Sequence, residues 1–155
     1  MPSTTGGLRA KEAERVDTPS WPEPSNYRSW KLSVVESVVL ASFFSDHAFR
    51  WMLEVQAEGA TLETLVSSKF GAKYGTHFDS GALDAKLGST LTKAAPTVFL
   101  NTTQARKHDD MREGTRLHGR QIMFLIDKHF KIIEAGGAVY DIEHFLSVTM
   151  NNDIL

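Results

Sequence analysis

The sequence predicts an all-α fold, a helical bundle behind a disordered N-terminal leader. Apolar residues recur at spacings of three and four along several segments, the period of one helix face. These segments also outrun the usual length of a strand. The first 25 residues differ: they hold Pro2, Pro19, Pro22, Pro24 and the pair Gly6-Gly7, with Leu8, Val16 and Trp21 their sizeable apolar side chains. Such a stretch buries too little surface to offset its ordering entropy. Residues 1–25 are therefore expected to be a disordered leader, and residues 26–155 a helical domain.

Order is expected to begin at Ser25 or Asn26, a polar cap behind Pro24. Tyr27, Trp30, Val34, Val38 and Ala41 then form one stripe, which Leu32, Val35, Val39 and Phe43 broaden into a helix buried over much of its girth. Ser45 or Asp46 can cap a second helix carrying Ala48, Phe49, Trp51, Met52, Leu53 and Val55, which Gly59 ends. Thr61 can cap a short third helix through Leu62, Leu65 and Val66. Residues 69–81, with Gly71, Gly75 and Gly81 among polar residues, read as a loop. Leu83, Leu87 and Leu91 repeat at four, making an amphipathic helix that Gly88 weakens and Pro96 stops.

After the short apolar run Val98-Phe99-Leu100, residues 101–115 read as a polar stretch. A strong helix is expected over 116–133 on Leu117, Phe124, Leu125, Phe130 and Ile133, with Gly136-Gly137 behind it. A final helix would use Ile142, Phe145 and Leu146. The terminal pair Ile154-Leu155 is apolar with nothing behind it, so the domain is expected to be cut short at its C-terminus, inside a larger fold. Tyr27, Trp30, Trp51, Phe124 and Phe130 are the expected core anchors, aromatic rings being the largest apolar groups available.

Composition excludes several functional classes. The 17 Lys and Arg against 19 Asp and Glu leave a formal charge of -2, so contact with a polyanion must come from a local patch. Cys is absent, which removes disulfides, thiol nucleophiles and Cys-ligated metal centres, and suits a reducing compartment; the cytoplasm is the expected location. Neither a signal peptide nor a run of about 18 uncharged apolar residues is present, so no membrane partner is expected.

No motif for catalysis, cofactor binding or metal binding survives inspection. The six His residues, at 47, 77, 108, 118, 129 and 144, include no pair at the spacing that puts two imidazoles on one ligand face. His108-Asp109-Asp110 is the densest donor cluster, yet without ligand spacing it reads as polar side chains turned to solvent. Asp127 and His129, two residues apart on a helix, point to different sides and make no acid–base pair. Glycine-rich nucleotide loops are absent. Asp79-Ser80-Gly81 lacks the apolar strand an aspartic-protease triplet requires, and reads as the lead-in to the helix of Leu83. No enzyme is expected. Arg112, Arg116 and Arg120 recur at four, so on one continuous helix they would form a guanidinium stripe, the candidate contact for RNA phosphates. A solvated face balanced by Asp109, Asp110 and Glu113 is the plainer reading, since no aromatics interleave to stack bases.

Asn26-Tyr27-x-x-Trp30 is similar to the start of copia-type Gag regions. Further segments follow in order: Phe49-Arg50-Trp51, Leu83 to Leu87, Gly119-Arg120-Gln121-Ile122 through Leu125-Ile126 to His129-Phe130, and Gly137 to Asp141 before Phe145-Leu146. Together, over residues 22 to 155, they resemble the Gag-like capsid region of a copia-type retrotransposon polyprotein. The resemblance implies a helical capsid-like core that self-associates weakly through helical surfaces into a shell around RNA. It extends to no Cys-Cys-His-Cys knuckle and to no protease, integrase or reverse-transcriptase motif, so packaging and replication are not implied for this chain. The expected function is a structural self-assembly module of a transposable element. A helical adaptor that binds a protein partner through an apolar groove is the alternative, with a small RNA-binding domain third and an enzyme last.

Overall fold

The computed structural model describes residues 13–66 and 80–135, and every regular element among them is helical. Helix α1 spans Tyr27–Ala41, α2 Ser45–Leu53, α3 Gly81–Ala94, α4 Thr97–Arg112 and α5 Gly119–Glu134. Single 3₁₀ turns occupy Pro24–Asn26, Glu54–Gln56 and Thr64–Val66. Most of the expected loop at 69–81, the expected helix through Ile142, Phe145 and Leu146, and the terminal Ile154-Leu155 lie outside the described residues, as do residues 1–12 of the expected leader.

The stripe of α1 is buried as its spacing requires: Tyr27, Trp30, Val34, Val35, Val38 and Ala41 all face inward. The Ser42 amide closes that helix on the Val38 and Val39 carbonyls, and the Ser42 hydroxyl accepts from the Phe44 amide at 3.0 Å, turning the chain into α2. Helix α2 buries Ala48, Trp51 and Met52 against α1. Gly59, at φ +83, makes the turn that follows. The expected third helix is shorter than a helix proper. Thr61 Oγ1 accepts from the Thr64 amide at 3.2 Å and caps a single turn that buries Leu62 and Leu65.

Helix α5 is the centre of the bundle. Every residue from Gly119 to Asp127 is buried, then Phe130, which an α-helix can do only when neighbours cover its whole circumference. All five expected anchors are in the core with it: Tyr27, Trp30, Trp51, Phe124 and Phe130.

Its closest neighbour is α3, which buries Leu83, Leu87 and Leu91. Gly88, expected only to weaken α3, is where the two helices cross. A Cβ on Gly88 would stand 3.3 Å from the Gly119 Cα; one on Gly119 would stand 2.8 Å from the Gly88 amide nitrogen and collide with the Asp84 carbonyl oxygen. Two missing side chains let the backbones touch.

Two expectations are corrected. Residues 101–115, read from the sequence as a polar stretch between helices, belong for the most part to α4. It buries Phe99 and Thr103, so it lies along the outside of the bundle and shows almost no apolar stripe. Local pairs hold it instead: Arg106 bonds Asp110 one turn on at 3.0 Å, and Arg112 pairs with Asp109.

The second correction concerns residues 13–25 of the expected leader, which lie along the helices as an extended strap. The Ala13 amide donates to the Ala41 carbonyl at 2.8 Å, and its carbonyl accepts from Lys86 Nζ at 2.7 Å. The Val16 carbonyl accepts from Thr90 Oγ1 at 2.6 Å and the Pro19 carbonyl from the Trp30 indole at 3.3 Å. Val16 is 1% exposed, and the Trp21 ring lies among Trp30, Phe99 and Phe130 at centroid distances of 6.2, 5.3 and 5.9 Å. Side-chain donors on the helices supply the hydrogen bonds that this segment cannot make with itself.

The crossing makes an asymmetric prediction. Gly119→Ala should destabilise by about 2 to 3 kcal/mol, since both obstacles are backbone and overpacking of this kind costs about 1–3 kcal/mol. Gly88→Ala meets a looser contact in the middle of a helix, where Ala is favoured over Gly by about 1 kcal/mol. It should be near neutral. Urea titration of both variants checks this; equal losses would show that the crossing can spread.

Candidate functional site

A groove of about 430 Å³ opens between α1, α2 and the C-terminal half of α5. Its walls carry Leu32, Val35, Phe49 and Leu53, and Arg28, Lys31, Lys131 and Glu134 stand around them. Leu32 is 57% exposed and Phe49 and Leu53 also remain open to solvent, although they share helices with core residues. The cause lies in the sequence: the apolar stripe of α1 is broader than α3 and α5 can cover, and the second face of α2 has no helix above it among the described residues.

Asp127 anchors the floor. Its carboxylate accepts from the Tyr27 hydroxyl at 2.9 Å and Lys31 Nζ at 3.0 Å, with Lys131 Nζ at 3.2 Å. Burial by itself pushes this carboxyl up, but the bond and charge of Lys31, the Tyr27 hydroxyl and the charge of Lys131 together outweigh it and hold the group below its ordinary value. Burial first, then the Asp127 charge, push the Tyr27 hydroxyl far above its ordinary value, so it stays protonated and donates. The ring of Tyr27 stacks on Phe130 at 4.5 Å. Every group in this cluster is matched, which locks α1 to α5.

The second polar cluster lies at the other end of α5. Asp84 accepts from the Arg120 amide at 2.9 Å and meets His118 Nδ1 at 2.8 Å, so a carboxylate sits at the positive end of the helix. The Gln121 side chain accepts from the His118 amide at 2.8 Å and donates to the Leu62 carbonyl at 2.9 Å.

The candidate stripe of Arg112, Arg116 and Arg120 does not form on one helix. Gly114, at φ +77, ends α4, and the amides of Glu113, Gly114 and Thr115 return to the carbonyls of its last turn. Arg112 therefore closes α4, Arg116 lies in the connection, and Arg120 belongs to α5. Arg112 and Arg116 are exposed, whereas Arg120 is 1% exposed. Its guanidinium donates to the Trp51 carbonyl at 2.9 Å, Glu54 Oε1 at 2.8 Å and the Leu65 carbonyl at 3.2 Å, and lies 4.8 Å from the Trp51 ring centre. This arginine holds the bundle together and has no phosphate-facing surface.

Among the described residues no three His, Cys, Asp or Glu side chains converge to hold a metal. His108 is exposed, and its neighbours Asp109 and Asp110 pair with Arg112 and Arg106. His129 packs edge-on against Phe99 and Phe130, and burial pushes its pKa down, favouring the neutral ring. It makes no bond to Asp127.

Asp127 and Asp84 escape sequence reasoning as structural nodes. The available signal is faint: Tyr27 and Lys31 stand one turn apart on α1, Asp127 and Lys131 one turn apart on α5, and Asp84 one turn before Gly88.

Arg120→Ala should lower stability by about 3 to 5 kcal/mol, the usual loss when one partner of a buried ion pair is removed. Arg112→Ala should stay within about 0.5 kcal/mol, as expected of an exposed site. Thermal denaturation separates the two, and similar shifts would contradict the burial of Arg120. For Asp127→Asn the expected loss at neutral pH is about 1.5 to 3 kcal/mol, the range for hydrogen bonds to a charged group. A depressed folded pKa stabilises above the unfolded value, near 3.9, and that stabilisation is lost as pH falls through the folded value. The gap between parent and variant should thus narrow on acidification below about pH 4, and a gap constant with pH would remove Asp127 from the account. Compared with known proteins, the chain significantly matches no family model, no curated protein and no solved structure.

Proposed function

We propose that this chain is a non-enzymatic self-assembly module, similar to the capsid region of a copia-type Gag, that associates through its α1–α2 face. One observation carries the reading: among the described residues, large apolar side chains stay in solvent along this hairpin above a layer of buried ones. Leu32, Phe49 and Leu53 line the groove, and Leu40, 85% exposed, lies near the α1–α2 corner with Phe43 and Phe44. Exposed apolar surface of this extent is characteristic of interaction sites. Symmetric assembly lets one such surface be used many times, so each contact can be small and weak. The matched polar groups of the groove floor favour docking over chemistry, because Asp127 is already held by three donors. The association with RNA that the resemblance implies is no longer supported by an arginine stripe.

The groove favours a second reading, a helical adaptor whose partner lays an amphipathic helix between α1 and α2, with charged groups at Lys31, Lys131 and Glu134 to orient it.

Sedimentation velocity over a wide concentration range tests the first reading. The expected result is reversible, concentration-dependent association that Leu40→Glu with Phe49→Glu abolishes without lowering the melting temperature. A strictly monomeric parent at the highest concentration would overturn self-assembly and favour the adaptor.

A further inference from the structure

We propose that the cleft between α3 and the connection from α4 to α5 is a binding site for a phosphate group. The cleft measures about 310 Å³, and Lys93 of α3, Lys107 of α4 and Arg116 of the connection converge on it with the hydroxyls of Ser89 and Thr92. Three cations from three different segments share one concavity in a chain whose formal charge is -2. The fold gathers them; no stretch of sequence does.

Their counter-charges are missing. Arg106 and Arg112 nearby are paired with Asp110 and Asp109. Among the described residues no ion pair reaches Lys93 or Arg116, and Lys107 Nζ has the Thr92 hydroxyl, at 3.3 Å, as its hydrogen-bond partner. Asp84 is the one carboxylate in the lining, but it is buried and already holds His118 Nδ1 and the Arg120 amide. The N-terminus of α5 is thereby occupied and contributes nothing to the argument. Uncompensated cations lining a concave surface focus a positive potential there. A phosphate offers several charged acceptor oxygens, which match two ammonium groups, a guanidinium and two hydroxyls, and bonds between charged partners of this kind are the stronger ones.

A second hollow, of about 530 Å³, lies across the Lys107–Arg116 wall and adds Gln104, His108 and Met111. It leaves room for whatever the phosphate is attached to. Neither lining holds a Trp, Tyr or Phe ring, and His108 is the one ring in them on which a base could stack, so a nucleic acid would be held chiefly by its backbone, with little sequence preference. The proposal rests on these residues and is independent of self-assembly.

Isothermal titration with inorganic pyrophosphate at low ionic strength is the primary test. The parent should bind, and Lys93→Gln with Arg116→Gln, both exposed positions, should weaken binding at least about tenfold, each charge-assisted contact being worth about a factor of ten. Arg112→Gln should bind as the parent does. Adding Lys107→Gln should deepen the loss, and melting curves confirm that the variants fold. A single-stranded RNA oligonucleotide forms the second arm. RNA binding that shows the same sensitivity to the variants, with a log–log salt slope near about -2 for three phosphate contacts, assigns the site to a nucleic-acid backbone. Pyrophosphate binding without variant-sensitive RNA binding assigns it to a small phosphorylated ligand. A parent that binds neither probe, or a double variant that binds pyrophosphate as the parent does, overturns the proposal.

Discussion

The backbone contact of Gly88 with Gly119 is the constraint on which the other features depend. Because two helices touch there without side chains between them, the first turn of α5 is brought against the side of α3, and Asp84 reaches the Arg120 amide in it. With that turn fixed, Arg120 points into the bundle, where it meets carbonyls from α2 and from the Thr64–Val66 turn, and Gln121 meets the Leu62 carbonyl. A buried guanidinium is costly unless its donors are matched. Here both terminal nitrogens are matched, by Trp51, Glu54 and Leu65, while Nε is buried without a hydrogen-bond partner among the described residues, so the charge also ties the chain between α2 and α3 to α5.

The far end of α5 is held differently. Asp127 sits one turn from Lys131 and faces Tyr27 and Lys31 on α1, so a single carboxylate joins two helices where the aromatic stack of Tyr27 and Phe130 already brings them together. The strap from Ala13 to Pro19 adds a third kind of attachment, backbone carbonyls bonded by Lys86, Thr90 and the Trp30 indole. The apolar core supplies most of the driving force, and these polar ties choose one arrangement of it.

Legibility followed burial. Helices α1, α3 and α5 were readable because one face of each is apolar over several turns, and α2 because Ala48, Trp51 and Met52 recur at three and four; its expected cap at Ser45 or Asp46 does not form, since Phe44 takes the N-cap position without a side-chain bond. Helix α4 was not, since a peripheral helix that buries Phe99 and Thr103 carries no stripe to read. Residues 13–25 were misjudged for a related reason. Val16 and Trp21 are too few to hold a segment by burial, but sequence spacing does not show that donors on two helices would meet its carbonyls. The arginine stripe failed at one residue: a spacing of four has meaning only on an unbroken helix, and the left-handed backbone at Gly114 breaks it. Of the candidate site, the exposed hydrophobics were visible as residues, whereas the groove, the Asp127 cluster and the basic cleft are products of tertiary contact.

The two surfaces lie near opposite ends of one helix, and this separation has physical consequences. Gly119 lines the basic cleft and Lys131 the apolar groove, twelve residues apart, or about 18 Å along α5. That exceeds the screening length of about 10 Å at 0.1 M salt, so charge at one site is weakly felt at the other. Burial of the groove in an assembly would leave the cleft open. The groove draws on apolar area, which salt does not screen, and the cleft on exposed cations, which it does. Ionic strength therefore separates them: association that persists at high salt belongs to the α1–α2 face, and binding that fades belongs to Lys93, Lys107 and Arg116.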